Sequence, residues 1–524
     1  MARRDLRDPG KLGRSRPSVK LFSLNLHERP ARWKVRRMNT NDSSRNAPVP
    51  RWRGIFCNRT LNLRSIRAIG YDMDYTLIHY HVEAWERRAF EFSRQKLVDV
   101  GMPLEDAVFD PRAVIRGLII DKKHGNLVKT NRFGYIKQAA HGTRMLDFDD
   151  FKKVYSQTIV DLADSRWVFL NTLFALSEAS LYIELVDRMD AGRIDPLIGY
   201  TGLYEKVKTA LDGTHMEGKL KAEIIAYPDR YIDLDPEVPL TLLDQKHSGK
   251  RLALITNSEW GYTRSIMSYA FDRFLPNGMT WTSLFDVVIV GARKPEFFSG
   301  RQPVFEVVDR ESGALMPLVG GLEAGHSYFG GHAELIEQLF KVPGEQILYI
   351  GDHVYTDVKL SKDIRRWRTA LVLRELEEEI AALDDFHATQ ARLEALMAQK
   401  TELETQISSV RLAIQRRKQG YSPGADGRVQ TAAASPVRDL DQEFNRLRLR
   451  AIELDEQITP LAKTAAEVQN QRWGLLMRSG NDKSHMARHV ERHADVYTSR
   501  VSNFLYATPF VYLRSMRGSL PHDP

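Results

Sequence analysis

The chain has a single cysteine, Cys57. It can form no disulfide within itself, and no zinc site built from several cysteines is open to it. That usage fits a reducing compartment, so the expected location is cytoplasmic. Long apolar runs are missing too. No stretch reaches the roughly 18 consecutive apolar residues of a spanning helix. The arginines near the start are not followed by the apolar stretch of a secretory signal. No membrane partner is expected. Acidic residues are scarce in one place: residues 1–50 hold 13 Lys and Arg against 4 Asp and Glu, a balance of +9. The whole chain carries +8, so the remainder sums to −1 (+8 less +9). The basic character belongs to this arm, which reads as a disordered, solvated segment. Nucleic-acid binding would rest on the arm alone and is not expected. Met38, just before a polar run, is an alternative start.

The rest is ordinary for a globular protein. Apolar residues make up 43% and charged residues 27% of 524, which excludes fibrous and globally disordered chains. The length is three or four domains' worth at about 150 residues each. Folded sequence is expected from near Trp52. Ile66–Tyr71 is an apolar run that empties into Asp72-Met73-Asp74. Leu252–Ile255, Phe285–Val290 and Ile347–Ile350 are similar, and Thr369–Leu373 is a fifth of the kind. Helical patterns lie between them, at Tyr262–Phe274 and Ala333–Phe340. Such alternation predicts an α/β fold with a parallel, doubly wound sheet and ligands beyond the carboxyl ends of its strands.

About 175 residues separate the first two strands, far more than a crossover needs. The expected organisation is an arm at 1–50, core at 51–81 and 240–374, and a mostly helical inserted domain at 82–239. Residues 375–475 are expected to form a helical hairpin. Leu396, Leu403, Ile407, Val410 and Ile414 keep heptad spacing, as do Leu440, Phe444, Leu447, Ala451, Leu454 and Ile458, around a flexible linker at 421–437. The segment 476–524 is expected to pack on the core.

Chemistry is concentrated at the strand ends. Asp72 and Asp74, two residues apart, can converge on one locus. A carboxylate there can attack phosphorus or bind Mg²⁺, and its neighbour can shuttle a proton. Thr256-Asn257-Ser258 offers hydroxyl and backbone N–H groups to phosphate oxygens. Lys294 can neutralise a transferring phosphoryl group. Asp352 can complete a metal site, and Asp357 can orient Lys294 or metal-bound water. Each piece alone is a common loop.

The four pieces in order resemble the haloacid-dehalogenase superfamily of phosphotransferases. The stretches around Phe56-Cys57-Asn58-Arg59, Gly70-Tyr71-Asp72-Met73-Asp74-Tyr75-Thr76-Leu77, Ala292-Arg293-Lys294-Pro295-Glu296-Phe297-Phe298 and Ile347-Leu348-Tyr349-Ile350-Gly351-Asp352-His353 resemble the cytosolic purine 5′-nucleotidase family. The resemblance implies Asp72 as nucleophile, Asp74 as acid/base, and Mg²⁺ on Asp72, the Asp74 carbonyl and Asp352. It implies IMP and GMP as substrates and a homo-oligomer. It also implies that Asn171 and Phe174, read as one helix face, hold the purine. Lys208, Asp212 and His215 share a face at i, i+4 and i+7. Asp212 matches a base-recognising aspartate suited to the N1–H of a 6-oxopurine, and His215 and Lys221 match substrate-side positions. The family has arginine where Lys208 stands, and Lys cannot make the planar forked contact. Tyr355 stands for an effector-stacking phenylalanine, while Asp161 and Asp363 stand where the family's effector site has cations. Acids there disfavour a polyphosphate effector such as ATP. Two other readings stay open: the same machinery acting on another phosphomonoester, and a scaffold whose hairpin binds partners around a vestigial site. His485, His489 and His493, at i, i+4 and i+8 with Glu491 nearby, are read as a partly exposed polar face rather than a zinc site.

Overall fold

The structure is a computed structural model that describes residues 49–216, 218–276, 278–421, 436–516 and 518. The basic arm, but for its last two residues, lies outside the described residues, as do Met38 and nearly all of the 421–437 linker. The first regular element of the described residues begins at Arg51.

A ten-stranded sheet forms the centre. Its strands are β1 (Ile55–Cys57), β2 (Ala68–Tyr71), β3 (Arg251–Ile255), β4 (Val287–Val290), β5 (Val304–Asp309), β6 (Ala314–Pro317), β7 (His326–Gly330), β8 (Ile347–Gly351), β9 (Arg368–Val372) and β10 (Val496–Thr498). They lie in the order β1-β10-β9-β8-β2-β3-β4-β7-β5-β6. From β10 to β7 neighbouring strands run parallel. β2, β4 and β8 are buried throughout, as expected of parallel strands covered on both faces. This is why they read as unbroken apolar runs. All five expected strands are present. The outer strands β1, β5, β6, β7 and β10 were not foreseen.

Between β2 and β3 lie the helices α1 (Val82–Asp99), α2 (Leu176–Asp190) and α3 (Gly199–Met216). They are accompanied by an antiparallel sheet of five strands, Ile119–Asp121, Asn126–Thr130, Ile136–His141, Arg144–Met145 and Trp167–Phe169. Helix predominates, but this sheet is an addition to the helical expectation. Ile119–Asp121 and Asn126–Thr130 are buried on both faces, so they show no alternation to read. Two further helices, α4 (Leu376–Gln419) and α5 (Val437–Ala466), form the antiparallel hairpin. Leu393, Leu396 and Leu403 meet Leu447, Leu454 and Ile458 in a separate apolar cluster. An ion pair between Lys400 and Asp455 crosses the seam. No helix of the described residues is long and apolar enough to cross a membrane.

The histidines correct one expectation. They lie on α6 (His485–His493), but His485 and His493 are only 4% and 3% exposed. Spacing shows a shared face, not what covers it. Here Phe169 and Tyr355 do: Phe169 packs 5.4 Å from both His485 and His489, and Tyr355 5.3 Å from His489. The Nε2 atoms of His485 and His489 are 3.0 Å apart. Burial lowers all three, to about 4 for His485 and His493 and about 3 for His489, with Arg488 or Arg492 adding to it. The unfolded chain therefore binds protons that the folded one refuses between pH 6.5 and these values. Stability falls as pH falls through that window, by about 1.4 kcal/mol per pH unit for each histidine that stays neutral when folded. Thermal unfolding between pH 7 and pH 5 should show a falling midpoint. The fall should be shallower in His485→Gln/His489→Gln; parallel curves would refute this account.

Candidate active site

Four neighbouring strands empty into one locus. Asp72 follows β2, and its N–H bonds Ile350 O on β8 at 2.9 Å. Thr256 follows β3, with its N–H on Ile289 O of β4 at 2.9 Å. The ladder thus runs one residue beyond each strand and fixes where the first polar side chain sits. Thr256 Oγ1 then accepts the Ser258 N–H at 3.0 Å. Asn257 is taken up by the loop after β4: its Oδ1 accepts the Lys294 N–H at 2.6 Å and its Nδ2 donates to Lys294 O at 3.1 Å. At the end of β8, Gly351 permits the next turn to close. A Cβ there would meet Asp357 Oδ2 at 2.5 Å. The turn Val354–Lys359 is wound in the wide π form, a form found mostly as single turns and often at functional sites. His353 caps it, its Nδ1 accepting N–H groups of Tyr355 and Thr356 at 3.2 and 3.1 Å. Burial lowers His353 to about 4, so the ring is neutral and free to accept.

Lys294 Nζ lies 2.7 Å from Asp72 Oδ1 and 2.7 Å from Asp357 Oδ1, and donates to Tyr349 OH at 3.1 Å. Burial works against its charge, but Asp357 and Asp72 outweigh this and hold the ammonium well above its usual range. Burial pushes the Asp72 carboxyl up, to about 7, against the pull of Lys294. Burial, with Asp357 and Asp72, pushes Asp352 well above the usual carboxylate range. Carboxylate oxygens of Asp72, Asp352 and Asp357 lie within 4.8 Å of one another. Asp352 Oδ2 is buried without a hydrogen-bond partner. Three crowded carboxylates, one with an orphaned oxygen, fit a hard divalent cation that would cancel the excess charge. Arg116, almost wholly buried, reaches from the insert to Asp352 O at 3.4 Å and Glu375 Oε2 at 2.6 Å.

Asp74 is held on both oxygens. Tyr80 OH donates to Oδ1 at 2.5 Å and Ser258 Oγ to Oδ2 at 2.7 Å. Lys221 comes from the insert and donates to Ser258 Oγ at 3.3 Å. Asn171 and Phe174 do not share an α-helical face. Asn171 lies outside any helix or strand, and Phe174 sits in the short 3₁₀ turn Leu173–Ala175 that leads into α2. Thr172 caps that turn, which breaks the helical reading. The Phe174 ring packs edge-on to Tyr75, with centroids 4.6 Å apart, one residue from Asp74. Lys208 and Asp212 do lie on α3, paired at 3.5 Å. The His215 side chain lies outside the described residues. Asp161 and Asp363 are exposed.

A family model described as the 5′ nucleotidase family matches residues 55–524. The chain belongs to the 5′-nucleotidase family. It is 27% identical over 481 residues to a 5′-nucleotidase domain-containing protein of Dictyostelium discoideum, covering 90% of this chain and 74% of that one. Among solved structures it is similar to an archaeal β-phosphoglucomutase from Pyrococcus, with 14% identity, TM-score 0.26, and 59% and 87% of the two chains covered. It is also similar to a haloacid dehalogenase-like hydrolase from Xanthomonas campestris, with 13% identity, TM-score 0.23, and 59% and 82% covered.

Asp72, Asp74, Thr256, Asn257, Ser258, Lys294, Asp352, Asp357 and Lys221 thus come together in this family member. Tyr80, Tyr349 and Arg116 were missed, as was Tyr262, whose hydroxyl lies 3.0 Å from Tyr80 OH. They are reached only through the tertiary fold, and nothing in their spacing marks them.

Proposed function

We propose that the protein is a Mg²⁺-dependent 5′-nucleotidase hydrolysing purine nucleoside 5′-monophosphates, IMP and GMP with their deoxy forms, through a phospho-aspartate. The observation that carries this is the cluster of Asp72, Lys294, Asp352 and Asp357, ion-paired or within 4.8 Å at adjacent strand ends, in a chain of the 5′-nucleotidase family. Asp72 Oδ attacks phosphorus while Asp74 gives a proton to the leaving 5′ oxygen. Water then attacks the phospho-aspartate and loses a proton to Asp74. Another nucleoside in place of water makes this a phosphotransferase. Lys294 and the Thr256 hydroxyl hold phosphoryl oxygens, and Asp357 orients Lys294. Mg²⁺ on Asp72, the Asp74 carbonyl and Asp352 would supply charge neutralisation at the phosphoryl group.

The segment 82–239 acts as a specificity domain over a core of 51–81 and 240–374. In this reading Asn171, Phe174, Lys208, Asp212, His215 and Lys221 bind the base and ribose. An Asp212 carboxylate accepts the N1–H of a 6-oxopurine, and adenine lacks that hydrogen, so AMP is rejected. The enzyme works in the cytoplasm as a homo-oligomer, for which Leu449 and Ile452, exposed on the hairpin, offer apolar surface.

Phosphate release with Mg²⁺ from IMP, GMP, AMP, CMP, UMP and a sugar phosphate tests this. Release from IMP and GMP at tenfold or more over the others is expected. Preference for another ester would keep the chemistry and remove the purine assignment. Silence on all six would remove both.

A further inference from the structure

The hydrogens around Asp74 can be assigned, and all of them point inward. Tyr80 has one O–H, and at 2.5 Å from Asp74 Oδ1 it is a short donor to that carboxyl oxygen. Tyr262 OH lies 3.0 Å from Tyr80 OH. With the Tyr80 hydrogen already used, Tyr262 is the donor of that bond. Ser258 gives its single O–H to Oδ2 and takes a hydrogen from Lys221. Two chains of donors therefore converge: Tyr262 to Tyr80 to Oδ1, and Lys221 to Ser258 to Oδ2. Tyr80, Tyr262 and Ser258 are all buried. The lysine chain comes from the insert. The tyrosine chain joins the root of the insert, where Tyr80 pairs with Ile232, to the core helix Trp260–Phe271.

We propose that Tyr80, itself held by Tyr262, is a positioning residue for Asp74. It fixes the plane of the carboxylate so that one proton passes to the leaving oxygen and one returns from water. This rests on the nucleotidase reading above. In the first step the Asp72 O–P bond forms, the P–O bond to the 5′ oxygen breaks, and the Asp74 proton goes to that oxygen. In the second, water oxygen bonds to phosphorus, the Asp72 O–P bond breaks, and the water proton goes to Asp74. Both steps need the Asp74 oxygen aimed at one point, and convergent hydrogen bonds in a buried site reinforce one another.

Leaving-group chemistry separates this role from a structural one. The best nucleotide of the six-ester panel is compared with its analogue carrying sulfur as the bridging 5′ atom. A thiolate departs without a proton, so that substrate has little need of Asp74 in the first step. kcat/KM reports that step alone. Tyr80→Phe should lower kcat/KM for the oxygen ester roughly tenfold or more relative to the sulfur analogue. Tyr262→Phe should shift the ratio in the same direction by less, and it carries the test if Tyr80→Phe does not fold. Equal losses on both substrates, or no change in either variant, would overturn the proposal while leaving the nucleotidase reading intact. A wild-type protein inactive on the whole panel would instead remove that reading.

Discussion

Asp72→Asn should lower phosphate release by roughly a thousandfold or more, with the protein fully folded. Asparagine keeps the shape of the side chain and its place beyond β2, but it has no anionic oxygen to attack phosphorus. The same change should leave the thermal midpoint unchanged or raised. Burial pushes the Asp72 carboxyl up to about 7, above its unfolded range. The charged form is thus disfavoured by folding, and its cost is present at neutral pH and vanishes as pH falls through 7 towards 4. A neutral amide carries no such cost. Activity and unfolding measured on one preparation check both halves. Retained turnover would remove Asp72 as nucleophile, and a much lower midpoint would contradict the electrostatic account.

The second large effect is the reverse case. Lys294→Met removes the ammonium that ion-pairs with Asp72 and Asp357 at 2.7 Å each. Asp72, Asp352 and Asp357 then face one another without it. Breaking a buried pair from one side costs about 3–5 kcal/mol, and turnover should fall at least a hundredfold with the loss of phosphoryl charge stabilisation. The deficit should depend on pH. Without the lysine Asp72 and Asp352 are pushed up further, so their folded-state values lie further above their unfolded ones. Stability is then lost as pH rises through that interval, and the variant should be closest to wild type near pH 5 and furthest near pH 8. Millimolar Mg²⁺ should narrow the gap at pH 8, because the ion replaces part of the missing charge. Denaturant unfolding at both pH values, with and without the ion, checks this. A deficit independent of both would mean that the carboxylates do not share one electrostatic locus.

The catalytic frame was legible in the sequence because each part is local. A short apolar run ending in a polar residue marks a buried parallel strand and its carboxyl end, so Asp72, Thr256, Lys294 and Asp352 could be ordered before any fold was known. The hairpin was legible for the same reason, since Leu396, Leu403, Leu447 and Leu454 carry their period within one helix each. What escaped depends on distant neighbours. β1 and β10 have three residues apiece, too few for a pattern. The Tyr80–Tyr262 pair brackets the whole insert. The histidines of α6 were placed on the right face and given the wrong surroundings, because Phe169 and Tyr355 come from other parts of the chain. Asn171 and Phe174 were assigned a helix where the Thr172 side chain breaks it.

The position of β10 bears on how the molecule is made. This strand lies between β9 and β1, pairing with β9 in parallel and with β1 antiparallel. It is translated more than four hundred residues after β1, which has no other partner in the sheet among the described residues. On the ribosome β1 therefore waits, and β9 keeps an open edge of unpaired amide and carbonyl groups until the last part of the chain emerges. Chains stopped before Val496 would keep that edge exposed. They are products for a chaperone or a protease rather than shorter enzymes, however complete their catalytic residues.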